Sequence, residues 1–179
     1  MWKKAVLPFL VLLSAATLAG RAADEKKEGH KEGAKHPGLE RFKLLAGEWT
    51  GKMTEEGRDV GPARVTYKVT SGGSAVVETL DPGGAHEMVT MIHADGKDLA
   101  LTHYCAIGNQ PRMKAECKTD SNKFDFQFTS ASNMKSDKDM HMHSVVYTLV
   151  DKDTLKAEWT NYVDGKKAGT AVFEFKRAK

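Results

Sequence analysis

The sequence predicts an all-β fold, an antiparallel up-and-down β-barrel of about ten strands with a short N-terminal helix. Three observations lead there. Apolar and polar residues alternate along short runs, the pattern of strands with one buried and one wet face. Turn-forming residues separate those runs at short intervals. No long helical insert interrupts them, which argues for a meander. About ten strands strain an open twisted sheet, and closure removes its sticky edges.

Leu39, Phe42, Leu45 and Ala46 share one helical face, so a short helix is expected over 38–46. Gly47 suits the left-handed position that ends a helix. Strands are expected over 48–54, 63–70, 75–80, 86–93, 98–107, 112–118, 123–129, 140–150, 154–162 and 169–176. Val65, Tyr67 and Val69 share a face against Arg64, Thr66 and Lys68. Phe124, Phe126 and Phe128 do so against Asp125 and Gln127, and Ala171, Phe173 and Phe175 against Val172 and Glu174. Ser71-Gly72-Gly73, Asp81-Pro82-Gly83-Gly84, Asp95-Gly96, Asn109-Gln110-Pro111, Asp120-Ser121-Asn122, Asp151-Lys152-Asp153 and Asp164-Gly165 are the hairpin connectors.

The first 22 residues read as a signal peptide. Lys3 and Lys4 precede an apolar run from Ala5 to Leu13, and small residues follow up to Ala22. Arg21 stands where a lipidated cysteine would be, which argues against a lipid anchor. Residues 23–37 are charged and lack large apolar groups, so they read as a disordered linker whose His30 and His36 are solvated. The domain then occupies 38–179. An exported product, periplasmic or secreted, is the expectation, with no stable membrane insertion after cleavage. Removing Lys3, Lys4 and Arg21 from 27 basic residues leaves 24 against 24 acidic ones. That balance provides no basic footprint for nucleic acid.

Cys105 and Cys117 could form one disulfide in an oxidising compartment. A turn centred near Asn109-Gln110, however, makes them diagonal neighbours, ~7–8 Å apart and too far to bridge without a bulge. Both states stay open. No nucleophile motif, phosphate loop or HExxH helix appears.

Three stretches carry candidate site residues. Trp49 enters the first strand, where it either touches a ligand or plugs one end of the barrel. Alternation from Leu99 and Leu101 puts His103 and Cys105 on one inward face, and Arg112 could join them at a barrel mouth to hold a carboxylate. In Met140-His141-Met142-His143 the methionines fall on one face and the histidines on the other. His141 and His143 are therefore a candidate metal pair, or simply the outer face of a strand with a methionine core. Trp159 shares its face with Leu155 and Ala157, which suits core packing as well as ligand contact.

Two of these stretches, Leu44-Leu45-Ala46-Gly47-Glu48-Trp49-Thr50-Gly51 and His103-Tyr104-Cys105-Ala106-Ile107-Gly108-Asn109-Gln110-Pro111-Arg112-Met113, resemble a bacterial family, the domain of unknown function 1579. The opening motif also resembles the calycin superfamily of lipocalins, fatty-acid-binding proteins and haem-binding nitrobindins. That resemblance implies a closed antiparallel barrel with an internal pocket. It also implies a nitrobindin-like alternative, with haem held by His141 or His143.

The reading that follows is a non-enzymatic barrel binding a small hydrophobic or amphipathic molecule through Trp49, His103, Cys105, Arg112 and Trp159. The alternatives are haem or transition-metal binding through an inward histidine, and a hydrolase using His103 as general base.

Overall fold

A computed structural model describes residues 35–118 and 121–179. The expected signal peptide and residues 23–34 of the expected linker lie outside the described residues. The elements are α1 (Pro37–Lys43), β1 (Gly47–Glu55), β2 (Arg58–Thr70), β3 (Ala75–Leu80), β4 (Met88–Asp95), β5 (Asp98–Tyr104), β6 (Gln110–Ala115), β7 (Lys123–Ser132), β8 (His141–Asp151), β9 (Thr154–Val163) and β10 (Lys166–Arg177). Every strand pairs antiparallel with its sequence neighbour, and β1 pairs with β10 to close the barrel. The ten-strand barrel predicted from alternation is the fold. No helix among the described residues is long and apolar enough to cross a membrane.

The helix is shorter than its apolar face suggests. Pro37 presets its first turn, and His36 accepts a hydrogen bond from the Leu39 N–H. Leu44, Leu45 and Ala46 then bond back three residues, to Arg41, Phe42 and Lys43, which tightens the chain before Gly47 turns it at φ 126° into β1. Seven residues do not hold a helix alone. Packing does so here: the Phe42 ring lies 4.9 Å from Phe124 and 5.3 Å from Tyr147, and it is fully buried. The helix thereby closes the barrel end where β1 begins.

The interior has two characters. Towards the helix it is aromatic, with Phe42, Trp49, Phe124, Phe126, Tyr147 and Phe175 buried. Towards the opposite end the inward positions include Met53, Ala63, Met88, Met142 and Ala171, which are only partly buried against the core. Methionine is flexible and fills irregular gaps, so this half is the softer one.

The β5–β6 hairpin differs from expectation. Its turn is centred on residues 106–108, with the Gly108 N–H bonded to the Cys105 carbonyl and Gly108 at φ 92°. Asn109 bonds across to Cys105, and Gln110 and Pro111 already belong to β6. Ala115 therefore faces Leu99, and Cys117 lies beyond that strand end, about eight positions and on the order of 25 Å from Cys105 along the ladder. Both cysteines are free thiols, so the disulfide considered from the sequence is not formed. Glycine turned the chain earlier than the asparagine–proline pair suggested.

Candidate functional site

A chain of polar side chains runs through the barrel interior at the boundary of its two halves. Tyr67 on β2 donates its hydroxyl to Glu78 Oε2 on β3 at 2.6 Å. Thr90 on β4 reaches Glu78 Oε1 at 3.0 Å and His103 Nδ1 on β5 at 2.9 Å. The His103 ring packs on Trp159 of β9, with centroids 4.5 Å apart. Tyr147 of β8 points its hydroxyl at the same carboxylate, close enough to lower its proton affinity but without hydrogen-bond geometry. Neighbouring strands deliver these groups because each sits on the inward face of its own alternation, Glu78 between Val76 and Leu80, Thr90 before Ile92, and His103 after Leu101.

Burial dominates the electrostatics. It lowers the His103 pKa to about 4, keeping the imidazole neutral. It pushes the Glu78 carboxyl above its ordinary value, partly offset by the hydroxyls of Tyr67, Tyr147 and Thr90. Tyr67 and Tyr147 are raised well above 10 by burial and then by the facing Glu78. Among the described residues no lysine or arginine forms an ion pair with Glu78. His103 Nε2 and the Tyr147 hydroxyl are buried with no protein partner. An unpaired buried polar atom costs about 1–3 kcal/mol, so each is a place where a polar guest would gain.

Around His103 the interior is filled. His103 is 1% exposed and Trp159 3%, so a guest must displace neighbours, and the methionines are the side chains able to yield. Two clefts of about 220 and 390 Å³ lie elsewhere, one beside α1 and one on the outer face between Val150 and Lys176. Neither includes His103. There is no room for a haem against His103 as its ring is packed.

Of the residues singled out from sequence, His103, Cys105 and Trp159 gather around this interior. Cys105 is buried, its thiol 3.9 Å from the Met88 sulfur at the methionine end. Trp49 is at the other end as a plug: its indole N–H donates to the Leu45 carbonyl at 2.8 Å, and the Arg177 guanidinium stacks 4.3 Å over its ring. Arg112 does not join His103. It pairs with Thr102 on the outward face and is exposed, because Pro111 and Met113 take the inward positions. The expected carboxylate clamp is therefore absent from the interior.

His141 and His143 do meet, Nε2 to Nδ1 at 3.0 Å. A bulge leaves His143 unpaired between Met142 and Ser144, and its ring stacks 3.7 Å from Tyr162 and 5.1 Å from Phe128. Burial and the neighbouring His141 lower the His143 pKa. Met142 packs on the core as alternation predicts, whereas Met140 lies before the strand, exposed. Among the described residues no group of three His, Cys, Asp or Glu gathers to hold a metal.

Tyr67, Glu78, Thr90 and Tyr147 were missed as site residues. Glu78 carried a usable signal, a carboxylate on an apolar face between Val76 and Leu80.

Closed ten-strand barrel and buried polar chain together define a small antiparallel barrel with a polar centre. One solved structure of similar fold is Rv2717c from M. tuberculosis, with a TM-score of 0.58 and 15% identity over 80% of this chain and 98% of that one. At that identity the likeness shows the fold alone. No family model and no curated protein matches the chain.

Proposed function

We propose that the chain is an exported, calycin-like barrel that binds a small apolar or amphipathic molecule in its methionine-lined half. The guest's polar end meets His103, and Trp159 and Cys105 flank it. One observation carries this reading: His103 Nε2 is buried without a protein partner beside the half of the core built from yielding side chains. The resemblance of the Leu44-to-Gly51 stretch to calycins supports the same use of the interior. The export expectation rests on the N-terminal sequence.

Native mass spectrometry of protein purified from its own host tests it. The expected result is an adduct of small-molecule mass on the wild type that His103→Phe loses. Two bare masses would overturn the reading.

The convergence of His141 Nε2 and His143 Nδ1 at 3.0 Å supports a second reading, a transition-metal ion held at the end of β8 with water completing its shell. Metal analysis of the same preparation decides it, by stoichiometric metal that His143→Phe removes or by none.

A further inference from the structure

We propose that Glu78, Thr90 and His103 form a proton relay in which the protonation state of Glu78 sets whether His103 Nε2 is a bare lone pair or an N–H. The step from relay to guest class rests on the binding site proposed above. The relay itself does not.

The geometry leaves Thr90 little choice. Its hydroxyl lies within hydrogen-bond distance of both Glu78 Oε1 and His103 Nδ1, yet it has one proton to give. With Glu78 ionised, both oxygens must accept, Oε2 from Tyr67 and Oε1 from Thr90. Thr90 Oγ1 then has to accept from His103 Nδ1–H, and Nε2 carries the lone pair. With Glu78 protonated on Oε1, that proton is donated to Thr90 Oγ1. Thr90 now donates to Nδ1, and the ring proton sits on Nε2.

The two states differ by one proton, and the atoms balance. A proton arriving at Nε2 forms the Nε2–H bond while Nδ1–H breaks. The Nδ1 proton passes to Thr90 Oγ1, and the hydroxyl's own proton passes to Glu78 Oε1. His103 begins and ends neutral, as its burial requires. The other titratable groups facing the chain, Tyr67 from β2 and Tyr147 from β8, keep their protons because burial and the carboxylate both raise them.

This fixes the class of guest. With Glu78 ionised, Nε2 accepts a hydrogen bond and the nearest charge is negative. The site then selects a neutral molecule with an O–H or N–H, such as a long-chain alcohol or primary amide, over the carboxylate of the same chain.

Nitrogen-15 and carboxyl carbon-13 spectra of the guest-free protein test the relay. The first reports the His103 tautomer and the second the state of Glu78. At every pH a Glu78 carboxylate must accompany a bare Nε2, and a carboxylic acid an Nε2–H. Either mismatched pairing overturns the relay. Glu78→Gln, whose amide nitrogen donates to Thr90, is expected to hold Nε2–H at all pH values. Should that variant not fold, the wild-type pairing decides alone. In a separate titration, a long-chain alcohol is expected to bind about tenfold more tightly than the matching carboxylate. Equal or reversed affinities overturn the guest class. Binding of neither sinks the binding site itself, while the relay still stands or falls on the spectra.

Discussion

Replacing His103 with Phe should remove an acid sensitivity that the buried imidazole builds into the fold. Burial lowers its pKa from 6.5 to about 4. Between those values the unfolded chain carries a proton here that the folded chain refuses. Stability is therefore complete above about pH 6.5 and falls as the pH drops towards 4. A displacement of that size, at about 1.4 kcal/mol per pH unit, amounts to about 3 kcal/mol. Glu78 has the opposite sign. Its raised pKa contributes stability that is present in acid and lost as the pH rises through its folded value. Both proteins retain Glu78 and the surface carboxylates, so the difference between them isolates His103. A phenyl ring also preserves the stack on Trp159 and leaves Thr90 free to donate to Glu78. Urea unfolding at about pH 7 and about pH 4, followed by tryptophan emission, supplies the four stabilities needed. Wild type should lose about 3 kcal/mol more than the variant on acidification; parallel losses would show that the imidazole is not held neutral by burial.

Three further outcomes follow from the barrel's construction. Arg177→Ala removes donors to the Leu44, Ala46 and Lys152 carbonyls together with the stack on Trp49, and should cost about 2–3 kcal/mol in urea unfolding with little change in guest binding. Gly51→Ala would place a methyl 1.9 Å from the Glu174 carbonyl oxygen across the β1–β10 seam, and a loss above about 4 kcal/mol, or no folded product, is expected by circular dichroism. Thiol titration of denatured, unreduced protein should count two free cysteines per chain, whereas none would show that the hairpin register is wrong.

Alternation was enough to find the barrel, because a half-buried strand writes its inward face into every second residue. All ten predicted strands exist, and the misplaced boundaries are at turns. The 105–109 turn shows why: Gly108 at positive φ reversed the chain before the more conspicuous Asn109 and Pro111, and the cysteine geometry moved with it. His103, Cys105 and Trp159 were legible as an inward set for the same periodic reason. Arg112 was misread because its face depends on a hairpin register that spacing alone does not set. The polar chain was harder to see. Tyr67, Glu78, Thr90 and Tyr147 are on four different strands, and only closure of the barrel brings them together.

Stability alone does not account for that chain. A buried carboxyl with no cation beside it generally costs more than an apolar side chain of similar volume, and here two polar atoms remain unpaired after every available hydrogen bond is made. If the chain serves binding, an apolar replacement should fold at least as well. The variant Tyr67→Phe, Glu78→Met, Thr90→Val, His103→Phe, Tyr147→Phe keeps the volume and removes the polar groups of the chain together, so no partner is stranded by a single deletion. It should match or exceed wild type in urea unfolding near neutral pH and lose the adduct seen by native mass spectrometry. A variant several kcal/mol less stable would instead mean that the chain holds the fold together, and that the unpaired Nε2 of His103 is a cost of that job.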